Sequence, residues 1–400
     1  MPPPRHHPLA RAPLVDRGNR LLARAWAKGW LAVPPLDPPA LWAKASKGFS
    51  PDDESAGRSA VEVADFRLRL ERLAASAATE AQLNPVGLAA AHGQLVRAIR
   101  QRLALGRLWR ARPELPATML APPILVVGQM RAGTTRLHRL LAADPAHVAT
   151  RFCDSWNPVP QRPDLRPLRG AMALALGRLA NPWLDTLHPF GASEPDEELG
   201  WLAAALDHAT YEAQWRIPSF VAFSEARDPA PVYAEFARIL ATDAGWHRNS
   251  AQPRVMKVPQ FAEDLAAVLA RFSDARVVLA RRDPAAVHAS ACSLVANQMA
   301  MQSDAVDLAW LEQEWHRKAA LREARMDAAL AKFTGPVAVV EYDVVSDDWQ
   351  SAMRGIYSAL GLAFTPAAAA GMARVMRAGD DAAHRRHADS LRHFAAQRPG

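Results

Sequence analysis

Cysteine and lysine are both scarce in this 400-residue chain. Cysteine occurs twice, at 153 and 292, and neither belongs to a cysteine–histidine set large enough to hold zinc. That excludes a disulfide framework and a zinc ribbon, and two lone thiols fit a reducing compartment. Six of the 48 basic residues are lysine, so arginine carries nearly all the positive charge, as a GC-rich coding bias would produce. Lys257 is the only lysine between residues 47 and 318. Long apolar runs are missing too. "AMALALG" at 171–177 is bounded by Arg169 and Arg178 and is too short to span a bilayer. The start, "MPPPRHHPLARAP", lacks the apolar core of a secretory signal, so the expected location is cytoplasmic, with no membrane span. No motif interleaves aromatics with basic runs, so nucleic acid is not an expected partner.

Half of the residues are hydrophobic and 22% are charged, enough for a sizeable core and against wholesale disorder. The formal charge is +7, which favours anionic ligands. Residues 1–13 are proline-rich and read as disordered. Apolar residues then recur at three- and four-residue steps from about 18 to 110, predicting helices broken by the loop "KGFSPDDESAG". The proline-bounded stretch 112–123 divides the chain into a helical extension, 1–115, and a second unit, 116–400. There, short β-branched runs at 124–128, 147–152, 254–258, 276–281 and 337–342 alternate with helical stretches. This is the pattern of an α/β fold whose parallel sheet is covered by helices on both faces.

"VVGQMRAGTTRLHRLL" places Gly128 and Gly133 in a turn between a strand and a helix. Backbone N–H groups at such a helix start bind anions, and the helix dipole assists. An ATP-binding loop would carry lysine directly after the second glycine. Thr134 stands there instead, followed by Thr135, and Arg131 supplies a cation inside the loop. In "RRDPAAVHASACSLV", Asp283 and Pro284 start a helix directly after a strand. Arg282 and Ser290 could there grip a second phosphate, although a surface position for Arg282 fits the pattern equally well. Lys257 ends a strand, and Glu194, Asp196, Glu197 and Glu198 crowd a helix start. Those acids suit either the helix dipole or a general base. His384, His387 and His393 lack carboxylate or cysteine support for a metal site, and no metal is expected.

Together, "VVGQMRAGTTRLHRLLAADP" and "DARVVLARRDPAAVHASACSLV" resemble the sulfotransferases that use 3′-phosphoadenosine 5′-phosphosulfate (PAPS). The nearest likeness is to the broad bacterial group that is also similar to tyrosylprotein sulfotransferases. It covers about 120–365, and helical N-terminal extensions occur in that group. The resemblance implies a P-loop-type fold. It places the donor on Gln129, Met130, Arg131, Ala132, Gly133, Thr134 and Thr135, with Arg282 and Ser290 on its 3′-phosphate. It puts Lys257 near the transferred group and makes Glu197 the base, with Glu194 second. PAPS would be the co-substrate and a small-molecule or peptide hydroxyl (or amine) the acceptor, without a metal. Ala132 stands where the group has serine. Val258 and Phe261 replace the serine and histidine of K-S-P-x-H, excluding a histidine base there. An ATP-dependent small-molecule kinase and a catalytically silent nucleotide-binding protein of the same fold are the competing readings.

Overall fold

The computed structural model describes residues 5–378, 388–392 and 394. The expected histidines 384, 387 and 393 lie outside them. All five expected strands are present: β1 (Ile124–Val127), β2 (Val148–Ala149), β3 (Arg254–Met256), β4 (Arg276–Arg281) and β5 (Val337–Glu341). They form one parallel sheet in the order β2-β3-β1-β4-β5. The fold is an α/β parallel sheet flanked by helices. Every residue of β1 is buried, which is why its sequence is an unbroken apolar run.

One sheet face packs on Phe236 and Leu240 of the helix Ala230–His247 and on Leu265 of the helix Phe261–Arg271. The other packs on Leu137, Leu140 and Leu141 of the helix Thr134–Ala142 and on Met353 and Ile356 of the helix Trp349–Ala359. Each such side chain stabilises the fold by roughly 1.5–3 kcal/mol through burial.

The strand order positions the site. After β1 the chain builds β2 and β3 on one side, then crosses to β4 on the other. The carboxyl end of β1 therefore lies at a topological switch point between the ends of β3 and β4, where such sheets bind ligands. Gly128, Lys257 and Arg282 directly follow these three strands.

β2 is shorter than its apolar run predicts. The segment 192–196 crosses beside it and takes its backbone groups: Asp196 N–H donates to Thr150 O at 2.8 Å, and Phe152 N–H donates to Glu194 O at 3.1 Å. A short helix starts at Phe152 instead of more strand. This crossing carries the acidic cluster to the sheet edge beside β3.

The extension is helical as expected, with its longest helices at Ala60–Thr79 and Pro85–Ala111. Ser59 and Glu62 form a capping box at the start of the former. Their core is shared: Leu70, Leu95 and Ile99 cluster with Trp215, Ile217 and Phe220 from beyond β2. The expected disorder of residues 1–13 needs correction over residues 5–12. Arg5 is buried, donating to Ser293 O at 3.2 Å and to Ser293 Oγ, and Ala10 and Ala12 are buried. The prolines suggested an unfolded tail, but one arginine with fixed acceptors and two small apolar residues hold it in place.

Candidate active site

The loop is built by two backbone constraints. Gly128 and Gly133 have φ of +151° and +89°, and a side chain at either would collide, with Ala280 O and with the Tyr342 ring respectively. Arg131 also has a positive φ, +77°. In a non-glycine residue this costs roughly 1–2 kcal/mol and persists only where surrounding contacts impose it. Those contacts are visible. Arg131 Nε donates to Ser290 Oγ at 2.9 Å, its Nη1 donates to Leu187 O at 2.7 Å, and its own carbonyl accepts from Arg282 Nη1 at 3.0 Å. Burial pushes the Arg131 pKa down to about 10, and the neighbouring Arg282 adds to the shift. The guanidinium of Arg282 also lies over the Tyr342 ring, 4.2 Å from its centre, as a cation–π contact.

Thr134 and Thr135 open the helix Thr134–Ala142, so their N–H groups have no intrahelical partner. The Ala132 N–H is spent on Gln129 O at 3.0 Å. The side chains of Gln129 and Met130 are engaged by neighbouring helices: Gln129 Nε2 donates to Ala319 O at 2.8 Å, and Met130 packs against the cluster that contains Ala291 and Trp315.

Lys257 sits at the end of β3, its side chain 1% exposed. Its ammonium donates to Thr135 Oγ1 at 3.1 Å and makes a close ion pair with Glu197 Oε1. Its amide donates to Glu198 Oε2 at 3.1 Å. Three sequence-predicted residues from separate segments thus converge: Thr135 from the loop, Lys257 from β3 and Glu197 from the crossing segment. Glu194 does not join them; its side chain is exposed and folds over Gly191.

The buried Glu198 serves the backbone. Burial raises its pKa to about 8, against hydrogen bonds from Thr150 and the Lys257 amide, so it is a neutral acid over most of the ordinary pH range.

Sequence reasoning missed His188. Its Nε2 lies 3.2 Å from Asp196 Oδ1, and its Nδ1 lies 4.0 Å from Glu197 Oε1. Burial alone would raise the Asp196 pKa, but the contact with His188 outweighs it and holds the carboxyl below its usual value. His188, Asp196 and Glu197 offer three potential metal-ligand atoms within 4.8 Å of one another. A cation, the Lys257 ammonium, already sits on Glu197. His138, on the loop helix, is kept neutral: burial, then Lys257, push its pKa down to about 3.

The site therefore gathers cations, hydroxyls and helix-start amides around the Glu197 carboxylate, a set suited to holding an anion. The family profile of the sulfotransferases matches residues 122–366, and the chain belongs to the sulfotransferase family. The chain is similar to the crystal structure of sulfotransferase STF1 from Mycobacterium tuberculosis H37Rv. The two are 26% identical, with a TM-score of 0.73, over 89% of this chain and 97% of that one. Sulfotransferase STF9 from Mycobacterium avium shares the fold, at 20% identity and a TM-score of 0.75, over 85% of this chain and 88% of that one. No curated protein gives a significant sequence match. Among the described residues, no helix is long and apolar enough to cross a membrane.

Proposed function

We propose that the protein transfers a sulfuryl group from PAPS to an acceptor hydroxyl or amine. The carrying observation is that Arg282 and Ser290 both grip Arg131 of the glycine loop. Residues suited to two separate phosphates are thereby within reach of one donor molecule. The loop amides, Arg131, Gly133, Thr134 and Thr135 hold the 5′-phosphosulfate. Arg282 and Ser290 hold the 3′-phosphate, the group that distinguishes this donor from ATP.

Glu197 takes the proton of the acceptor hydroxyl, whose oxygen attacks sulfur. The bond from sulfur to the bridging oxygen breaks on the opposite side, and adenosine 3′,5′-bisphosphate leaves with that electron pair. Lys257, bonded to both Glu197 and Thr135, links the base to the donor loop and faces the charge that develops between them. A terminal phosphoryl group bears more charge than a sulfuryl group and calls for magnesium and a loop lysine. The cations found here, Arg131 and Lys257, match the smaller demand.

Calorimetry with adenosine 3′,5′-bisphosphate in a chelator tests the reading. Binding at least about tenfold tighter than adenosine 5′-phosphate is expected, since a charged hydrogen bond contributes roughly 1.5–3 kcal/mol. Equal affinities for the two ligands would refute it. A screen with sulfur-labelled donor then identifies the acceptor.

A further inference from the structure

The helix Arg166–Ala180 is amphipathic the wrong way round. Its buried line is Arg166, Gly170 and Leu174, with Arg166 paired to the buried Asp154 and to Asp164 at the surface. Its outer line is Leu165, Leu168, Met172, Leu176 and Leu179, spaced like one helix face and 42–65% exposed. A helix of an ordinary soluble surface points such residues inward.

A second element repeats the theme. The helix Pro13–Ala27 exposes Leu14 and Leu21, and the turn after it exposes Trp30, Leu31 and Val33. The two helices touch, and the helix Pro284–Gln302 braces their junction: Asn181, capping the first, donates to Asn297 Oδ1 at 2.6 Å, and Asn297 donates to the carbonyl of Ala10, just before the second, at 3.4 Å. Among the described residues, ten of the fourteen exposed large apolar side chains lie in these two stretches, so the exposure is concentrated and not scattered.

The charge left unpaired on these two stretches is positive. Arg17, Arg20, Arg24, Lys28 and Arg169 are exposed on the same two stretches. The acids nearby are already engaged: Asp16 with Arg11, Asp164 with Arg166 and Asp185 with Arg178.

We propose that this face docks the protein on an anionic lipid surface. The leucines, Met172 and Trp30 enter the boundary between headgroups and acyl chains. The arginines and Lys28 bury their stems there and present their charges to lipid phosphates. A second copy of the chain is the poorer occupant, because a two-fold contact would press each set of cations against its own like. The inference concerns the surface alone and stands apart from the choice of sulfuryl donor.

Sedimentation of the full chain with vesicles tests it. Vesicles of phosphatidylcholine with phosphatidylglycerol should pellet the protein at low salt at least about tenfold better than phosphatidylcholine alone. The double substitution Met172→Ser/Leu176→Ser should reduce that binding by about tenfold or more, and Arg20→Glu/Arg169→Glu should abolish the preference for anionic lipid. All four residues are exposed, so circular dichroism and melting should match the unaltered protein. The inference is overturned if the protein stays in the supernatant, or if the serine variant binds as well as the parent. It is equally overturned if the parent is a dimer by light scattering, binds no vesicles, and becomes monomeric on the serine substitutions.

Discussion

Arg131 and Ser290, 159 residues apart, are joined by a 2.9 Å hydrogen bond from Nε to Oγ. The bond ties the glycine loop to the helix Pro284–Gln302, and Arg282 closes the same junction by donating to the Arg131 carbonyl. A ligand bridging the two segments would find them already in position.

Arg282→Ala should weaken adenosine 3′,5′-bisphosphate by about 10–100-fold and adenosine 5′-phosphate far less, because in the proposed binding mode its guanidinium meets only the additional phosphate. Calorimetry with both ligands on both proteins checks this. Equal losses would mean that the residue merely supports the Arg131 backbone.

Lys257→Ala removes a cation from between Thr135 and Glu197. Turnover should fall by about 100-fold or more, while affinity for adenosine 3′,5′-bisphosphate changes less than about tenfold. Saturation kinetics beside direct binding separates the two effects.

Glu197→Gln should abolish transfer and leave donor binding intact, since the amide keeps the shape and loses the proton acceptor. Glu194→Gln should transfer normally, because that side chain is exposed and apart from Lys257. If the first variant still transfers and the second does not, the base is Glu194.

Glu198 gives a pH dependence of definite sign. Its carboxyl titrates near 4.5 when unperturbed and near 8 in the folded protein. Between those values the folded chain holds one proton more than the unfolded chain, so stability declines as pH rises. Glu198→Gln should remove that slope. Thermal melts of the variant and its parent should diverge in the variant's favour from about pH 5 to about pH 8.

Glu235 acts in the opposite sense. Burial alone would raise its pKa, but Arg58, Arg102 and Arg238 overcome this and hold it far below the ordinary range. Its stabilisation is therefore complete above the ordinary glutamate pKa and is lost as pH falls below it. Glu235→Ala should cost roughly 3–5 kcal/mol by leaving buried arginines without their counter-charge, measured by denaturant unfolding near neutral pH.

Much of the fold was legible because its signals are local. The β-branched runs marked all five strands, and the Gly128–Gly133 turn stood out by its place between strand and helix. The convergence of Thr135, Lys257 and Glu197 was not legible from spacing, since it depends on strand order. It came from resemblance. His188 was missed for the same reason: its partners, Asp196 and Glu197, sit eight and nine positions on, at no regular period, across a crossing segment. Arg5 was masked by proline. The composition around it signals an unfolded tail, whereas its fixation depends on Ser293, 288 positions away.

The aromatic ring at position 342 roofs the glycine at 133 and bears the guanidinium of Arg282 on its face. These positions cannot drift separately. Alanine at 133 would evict the ring and with it the arginine's support, so descendants of this chain that gain a side chain at 133 must shrink residue 342 at the same time, and must find Arg282 another platform.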